Sequence, residues 1–182
     1  MTAFPHGYEW LARHAPLPRV IQEGLALVGT AEAPGAADNP VIVAWAKEVG
    51  KDVAASYGHD SVPWCGLLVA VVCKRAGKPV IAGPLWAKNW SKFGTRADRA
   101  SLGDILVFNR PGGGGHVGFY VAEDASAFHV LGGNQADKVS IDRIAKARCI
   151  AVRRPPFAIG QPASVRPYLA ENRFGALSEN EA

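Results

Sequence analysis

One cysteine stands where the sequence favours a reactive thiol. Cys65 precedes an unbroken apolar run in SVPWCGLLVAVVCKRAG, residues 61–77. This pattern predicts a helix that begins at Cys65, and the N–H groups and dipole at a helix N-terminus stabilise a thiolate. Free cysteine is also among the most buried residue types, so packing is the alternative interpretation. Cys73, inside the same helix, and Cys149, at the start of a strand, are interpreted as core residues.

A nucleophilic thiol needs a base within hydrogen-bonding reach, and three histidines are candidates. His116 directly follows the glycine run 112–115 and begins a predicted strand. That position lies at the rim of a sheet, where catalytic side chains often occur. His59 lies in the loop before Cys65 and is a candidate to line a cleft. His129 lies within a strand, where alternation can direct it to either face.

Two amides follow a pair of glycines in VLGGNQ, residues 130–135. Asn134 favours such turns for conformational reasons alone. The functional alternative is an amide that orients a histidine, as Asn does in Cys-His-Asn sites. The glycine run 112–115 joins two strands instead of a strand and a helix, so we interpret it as a mobile hairpin and not as a phosphate-binding loop.

These candidates are positioned by a predicted α+β fold. Apolar spacing and end signals predict helices over 18–29, 39–50, the segment that starts at Cys65, and 83–94. Residues 51–63 are predicted to be a polar connector. Five β-branched and aromatic segments predict strands over 104–110, 116–124, 127–133, 138–144 and 149–155. Helices followed by closely spaced strands indicate an antiparallel sheet.

The composition is that of an ordinary globular protein and narrows the classes of function. The 182 residues are 48% hydrophobic and 20% charged, with a net charge of +4. The basic residues are dispersed, so nucleic-acid binding has little support. No run of 18 apolar residues is present, and we expect no membrane span. The spacing of the three cysteines matches no zinc pattern, so no metal is expected.

The order of these motifs resembles a known family of hydrolases. PWCGLLVAVVCKRAG, GDILVFNR, GHVGFYVAED and FHVLGGNQADKVSI, which cover about residues 60–155, resemble the CHAP (cysteine, histidine-dependent amidohydrolase/peptidase) family. More broadly, they look like papain-like peptidoglycan hydrolases, which include the NlpC-type endopeptidases. The resemblance implies a central Cys-bearing helix packed on a small antiparallel sheet, and a cysteine amidase or endopeptidase without a cofactor.

The resemblance also implies roles for individual residues. Cys65 matches the nucleophile and His116 the base. Asn134 lies where CHAP-like proteins keep a third polar residue, although many of them hold a Glu where this chain has Gly132. NlpC-type proteins use a histidine of the neighbouring strand instead, for which His129 is the candidate.

The second donor of an oxyanion hole is expected from the loop before Cys65. Tyr57, His59 and Ser61 are its candidates, and Trp64 and Gln135 are further candidates to line the cleft. Trp64 has packing in the core as its alternative role.

We expect one hydrolase domain over residues 1–155 and an extended polar tail over 156–182, weakly ordered at its end. The expected substrate is an amide bond of the cell-wall peptide. The alternatives are an idle module that binds the wall or a partner, and a thiol amidohydrolase acting on another amide.

The N-terminus lacks the pattern of a secretory signal, so we expect synthesis in the cytoplasm. Export would then occur through a phage holin pore, as for an endolysin, or through a secretion machine, as for an antibacterial effector. An effector would have a cognate immunity protein as a partner.

Overall fold

The computed structural model describes residues 4–170 and 176–181. Helices form the first half of the chain and strands the second, as expected for an α+β fold. The α-helices are α1 (Arg19–Leu25), α2 (Pro40–Val49), α3 (Lys51–Ser56) and α4 (Cys65–Arg75). Shorter 3-10 helices span Glu9–His14, Ala87–Lys92 and Lys146–Arg148.

The ends of these helices follow local chemistry. Asn39 caps α2 by accepting a hydrogen bond from the N–H of Val41, 2.9 Å away, and Pro40 occupies the first turn. The chain leaves α4 through Gly77, whose φ of 67° suits glycine. The prediction of a connector over 51–63 is wrong for its first half, because α3 continues the helical path after Gly50. The helix predicted over 83–94 is a 3-10 helix.

Six strands form one antiparallel sheet in the order β1-β6-β2-β3-β4-β5. The strands are β1 (Thr95–Arg96), β2 (Ile105–Asn109), β3 (Gly115–Glu123), β4 (Ala127–Gln135), β5 (Lys138–Ala145) and β6 (Cys149–Arg154). The five predicted strands are all present. The two-residue strand β1 carries no pattern that would have indicated it.

Helix α4 lies at the centre of the molecule. Its residues from Cys65 to Cys73 are all buried, as an apolar sequence on every side of a helix predicts. It packs against α1 and α2 and against strands β3 and β4. A second, smaller apolar cluster that includes Phe108 and Tyr120 covers the opposite face of the sheet. The main core therefore holds the first turn of α4 against the sheet.

Some of the residues after β6, in the segment expected to be a polar tail, contact the domain, whereas Ile159 is fully exposed. Tyr168 is 8% exposed, and the N–H of Ala170 donates to the carbonyl of Glu123 over 2.8 Å. The side chain of Glu181 is completely buried. The weak order expected at the end of the tail partly concerns residues 171–175 and 182, which lie outside the described residues. Within the described ranges, no helix is both long enough and apolar enough to cross a membrane.

Candidate active site

Cys65 occupies the first position of α4 and is 3% exposed. The N–H groups of Val117 and Gly66 and its own N–H are directed at its sulfur. Burial nevertheless raises the pKa of the Cys65 thiol above its ordinary value, and these N–H groups and the charge of Arg110 offset only part of the effect. The helix N-terminus predicts a thiolate at Cys65, but burial keeps the group a neutral thiol in this structure.

His116 is the second residue of β3 and precedes Val117, whose N–H meets the Cys65 sulfur. Its imidazole is completely buried. Nε2 lies 3.0 Å from Oε1 of Gln135, and Nδ1 has no hydrogen-bond partner among the described residues. Burial lowers the pKa of His116 to about 4, so the ring is neutral at pH 7. The ring faces Phe108 and Gly132 on the side of the sheet opposite α4, and no hydrogen bond joins its Nδ1 to the Cys65 sulfur.

Gln135 is fixed by three acceptors on its amide nitrogen. Nε2 donates to the carbonyl oxygens of Val130 (3.3 Å) and Ser140 (3.0 Å) and to Oγ of Ser140 (3.0 Å). Because these acceptors hold the NH2 group, Oε1 must face His116, and Nε2 of His116 must carry the hydrogen. Nδ1 is then the basic nitrogen.

The hydrogen bond to His116 comes from Gln135. The sequence favours Asn134 as the third member of the site, and that assignment stays a prediction. The pairing of β4 with β5 is irregular between Gly132 and Gln135, and Asn134 adopts a left-handed φ of 57° there. The irregularity turns Gln135 back toward the sheet, where it reaches His116. Asn134 is buried in the same turn, and none of the hydrogen bonds described for His116 involves it.

Gly132 gives Gln135 the space to reach His116. A Cβ atom at position 132 would lie 2.4 Å from Oε1 of Gln135 and 3.0 Å from Nε2 of His116. Position 132 must therefore lack a side chain for Gln135 to reach His116.

His129, the alternative third residue, has other partners. Its Nδ1 lies 2.8 Å from the hydroxyl of Tyr8, and its Nε2 lies 3.1 Å from Oδ2 of Asp124. Asp124 also accepts a hydrogen bond from Nε of Arg143 at 2.8 Å. This buried network ties the N-terminal segment to β4 and β5, so the structure gives His129 a packing role away from His116.

The loop before Cys65 contains one buried candidate donor. Tyr57 is 2% exposed, and its hydroxyl has no hydrogen-bond partner among the described residues. His59 is exposed and pairs with Asp38 over 3.0 Å, and Ser61 is exposed. Their exposure separates both from the buried thiol.

Trp64 packs in the core and does not line an open cleft. It is completely buried, its Nε1 donates to Oε1 of Glu32 over 2.7 Å, and its ring lies 5.9 Å from that of Trp45. A Cβ atom at Gly133 would lie 2.6 Å from the Trp64 ring. Trp64 thus supports the turn that carries Gln135.

Sequence reasoning missed three residues whose charges act on His116. The charges of Glu181, Arg148 and Arg110 all act on the pKa of His116. Arg110 opens the glycine hairpin, which was a signal that it lies near the base. Glu181 lies 65 positions after His116 in the sequence, and no local pattern indicates it.

No family model, curated protein or solved structure matches this chain. A surface cleft of about 580 Å³, lined by residues that include Asp98 and Phe128, does not include Cys65 or His116. Among the described residues, no group of three or more His, Cys, Asp or Glu side chains is arranged to hold a metal ion. The candidate site consists of Cys65, His116 and Gln135 as separate observations, of which the structure joins His116 and Gln135 by a hydrogen bond.

Proposed function

We propose that this protein is a cysteine amidohydrolase that cleaves an amide bond in the peptide of peptidoglycan. The catalytic part of this proposal rests on the resemblance and on one observation, the hydrogen bond that fixes the buried His116 ring through Nε2 and leaves Nδ1 without a partner among the described residues. The proposal requires the contact between Nδ1 and the Cys65 sulfur to form when substrate binds, because no such hydrogen bond is present in the structure. The choice of peptidoglycan rests on the resemblance of the motifs to CHAP-like and NlpC-type hydrolases.

The same resemblance supports a papain-like arrangement of the fold. A cysteine starts a central helix, a histidine lies at the start of a strand, and an amide comes from the neighbouring strand. A helix N-terminus and a rigid strand suit a nucleophile and a base, since both elements hold their side chains in fixed positions. In this arrangement Cys65, His116 and Gln135 form a Cys-His-Gln set.

The proposed mechanism begins with a neutral thiol and a neutral imidazole. Nδ1 of His116 takes the proton of Cys65 as the sulfur attacks the carbonyl carbon of the scissile amide. The oxyanion accepts hydrogen bonds from the Cys65 N–H and from a second donor, for which we propose the Tyr57 hydroxyl, since it is buried without a hydrogen-bond partner among the described residues.

The remaining steps return the site to its starting state. The imidazolium of His116 gives its proton to the leaving amine, the C–N bond breaks, and a thioester remains on Cys65. His116 then accepts a proton from water as the water oxygen attacks the thioester, and the proton passes to the sulfur as the acid leaves. Gln135 holds the ring in one orientation throughout.

Digestion of purified peptidoglycan tests the proposal. The full chain is incubated with sacculi of Gram-negative and Gram-positive origin, and soluble fragments are identified by mass spectrometry. We expect new amine and carboxyl ends from the unmodified protein and none from Cys65→Ala. Cys149→Ala, which removes a half-buried thiol from β6, is the matched control and should retain activity.

Two results would contradict the proposal. Equal fragments from Cys65→Ala would exclude the thiol mechanism. No fragments from any wall would favour an idle binding module, which the burial and neutral state of Cys65 and His116 specifically support as the second candidate. In that case, hydrolysis of amides that do not come from the cell wall would favour an amidase with another substrate over an idle binding module.

A further inference from the structure

A cleft of about 570 Å³, which we call the aromatic cleft, lies between the first 3-10 helix and the chain after β6. The rings of Trp10, His14 and Tyr168 line it. The carbonyl of Tyr168 accepts a hydrogen bond from the N–H of Glu123, the last residue of β3, whereas His116 is the second residue of that strand. At about 3.3 Å per residue, these two positions of β3 are roughly 23 Å apart. The aromatic cleft is therefore separate from the candidate active site.

The three rings contact one another and form a continuous wall. The ring centroid of Trp10 lies 5.6 Å from that of His14 and 5.1 Å from that of Tyr168. The rings of His14 and Tyr168 are 4.7 Å apart. Tyr168 is buried, whereas Trp10 and His14 are half-buried. Parts of the Trp10 and His14 side chains therefore face solvent at the cleft, where they can pack against the apolar face of a ligand.

The backbone on both sides of the aromatic cleft is anchored to the sheet. The hydroxyl of Tyr120, on β3, bonds both the N–H and the carbonyl of Tyr168, each over 3.2 Å. On the other side, the hydroxyl of Tyr8, directly before the 3-10 helix, lies 2.8 Å from Nδ1 of His129, and Leu11 within that helix is completely buried. The cleft is thus formed before a ligand binds, and a preformed site loses less entropy on binding.

Two side chains of opposite charge flank the rings. Glu9 and Arg13 both line the aromatic cleft, and both are exposed. Arg13 makes no hydrogen bond or ion pair with any of the described residues. Glu9 lies 3.5 Å from the exposed ring of His6. A carboxylate accepts hydrogen bonds and a guanidinium donates them, so the cleft offers both functions beside an apolar wall.

The aromatic cleft adjoins a second cleft. Leu169 lines both the aromatic cleft and the cleft of about 580 Å³ that contains Phe128, and it is 77% exposed. Its backbone is fixed, because Leu169 forms a parallel β-bridge with Glu123 and the next N–H, that of Ala170, donates to the carbonyl of Glu123 over 2.8 Å. An elongated ligand can therefore pass from one cleft to the other across Leu169.

This combination of groups favours a sugar over other ligands that contain a ring. A pyranose has an apolar face of C–H groups, which packs on an aromatic side chain, and hydroxyl groups at its edge that both donate and accept hydrogen bonds. A nucleotide would place a phosphate near the carboxylate of Glu9. A purely apolar ligand would take water from Glu9 and Arg13 without replacing its hydrogen bonds, which is unfavourable.

We propose that the aromatic cleft binds a pyranose unit of a β-linked glycan chain. The sugar face packs on Trp10, its hydroxyl groups bond Arg13 and Glu9, and the next unit of the chain passes over Leu169. Binding at this cleft is separate from amide cleavage, but the choice of a β-linked amino-sugar chain rests on the proposed function, because peptidoglycan contains such a chain. In that setting the cleft holds the glycan while the candidate active site acts on the peptide.

Binding of short oligosaccharides tests the proposal without any turnover. Chitotetraose, a β-linked chain of N-acetylglucosamine, is titrated into the full chain in a calorimeter. Cellotetraose, which has the same linkage without acetamido groups, is the second probe. The variants are Trp10→Ala and Arg13→Ala. Trp86→Ala is the matched control, because Trp86 is 75% exposed and does not line the aromatic cleft.

We expect chitotetraose to bind the unmodified protein and Trp86→Ala equally. Its affinity should fall about tenfold in Trp10→Ala, which removes an aromatic contact. The affinity should fall roughly fivefold in Arg13→Ala, which removes a hydrogen-bond donor. Urea unfolding of each variant measures its stability. Arg13 is exposed and without a partner among the described residues, so Arg13→Ala keeps the fold and decides the test if Trp10→Ala destabilises the protein.

Three results would overturn the inference. Neither oligosaccharide binds, Trp10→Ala and Arg13→Ala bind as well as the unmodified protein, or Trp86→Ala loses as much affinity as Trp10→Ala. Binding of cellotetraose but not of chitotetraose would overturn the choice of an amino sugar.

The glycan site and the proposed function can fail separately. Binding of chitotetraose that depends on Trp10, without any cleavage of peptidoglycan, would retain the glycan site and reject wall hydrolysis. Cleavage of peptidoglycan without binding of chitotetraose would retain the hydrolase and reject the glycan site. If both stand, Trp10→Ala should raise KM for intact peptidoglycan and leave kcat unchanged, because Trp10 contacts the glycan and not the cleaved bond.

Discussion

The side-chain amide of Gln135 determines which ring nitrogen of His116 carries a hydrogen. Oε1 of Gln135 lies 3.0 Å from Nε2, and the amide nitrogen is held by oxygen atoms of Val130 and Ser140. The amide has no freedom to flip without losing those contacts. The neutral ring is therefore protonated at Nε2, and Nδ1 is left to accept a proton.

Removal of the Gln135 amide should lower activity without changing the nucleophile. In Gln135→Leu the Nε2–H has no acceptor, so the ring can rotate or adopt the other tautomer. We expect kcat/KM for amide hydrolysis to fall about a hundredfold, within the range that a positioned general base contributes. Asn134→Gly, which keeps the left-handed backbone, is the control with a much smaller effect. An equal loss in both variants would contradict the assignment of Gln135.

A carboxylate in place of the amide should move the pH dependence. Burial lowers the pKa of His116 to about 4, so activity should fall only as the pH drops through that value. In Gln135→Glu an opposite charge stabilises the imidazolium and should move the acid limb of the kcat/KM profile upward by roughly 1–2 pH units. An acid limb that stays in place would show that another group titrates there.

A methyl group at Gly132 should separate Gln135 from His116. The new Cβ would lie 2.4 Å from Oε1 of Gln135, so Gly132→Ala forces the amide away from the ring. We expect a loss of activity close to that of Gln135→Leu, measured by the same assay. Gly58→Ala is the control, because a Cβ there meets nothing within 4 Å. Full activity in Gly132→Ala would show that the ring does not need the amide.

The Tyr57 hydroxyl should contribute to catalysis and not to folding. It is buried without a hydrogen-bond partner, so Tyr57→Phe loses no bond of the folded state and should leave the free energy of unfolding unchanged or slightly higher. As an oxyanion donor, its loss should lower kcat about a hundredfold. Chemical denaturation measures the free energy of unfolding and steady-state kinetics measures kcat, both on one preparation of protein. Unchanged kcat would assign the second donor elsewhere.

The network around Asp124 should make stability depend on acid pH. Its hydrogen bond with Arg143 holds the pKa of Asp124 well below the ordinary range, with further bonds from the N–H of Ser126, from His129 and from the N–H of Ala127. A lowered pKa in the folded state stabilises the protein above the unfolded value of about 4, and this stabilisation is lost as the pH falls below it.

Asp124→Asn should therefore lower the free energy of unfolding by about 2 kcal/mol at pH 7, as expected for lost hydrogen bonds to a charged group. The difference from the unmodified protein should shrink as the pH approaches 3. Urea unfolding at several pH values measures both quantities. A difference that stays constant with pH would assign the loss to packing and not to the charge of Asp124.

The sequence by itself determined most elements of the fold and indicated Cys65 and His116 as candidates for a site. The α+β order, α4 beginning at Cys65 and all five predicted strands follow from local patterns, since apolar periodicity and end signals are properties of short segments. Cys65 and His116 could be named because a thiol at a helix start and a histidine after a glycine turn are local features as well.

Only the tertiary structure decided which partners these residues contact and how far they are buried. Gln135 reaches His116 because an irregular pairing of β4 with β5 turns its amide toward the ring on β3, and the local sequence does not indicate this contact. Glu181 binds Arg148 although the two residues are 33 positions apart in the sequence. The pKa of Cys65 likewise depends on burial by distant segments, which here outweighs the helix N-terminus that the sequence had indicated. Local interactions thus set the elements, whereas hydrogen-bond partners and desolvation come from residues that meet only in the folded chain.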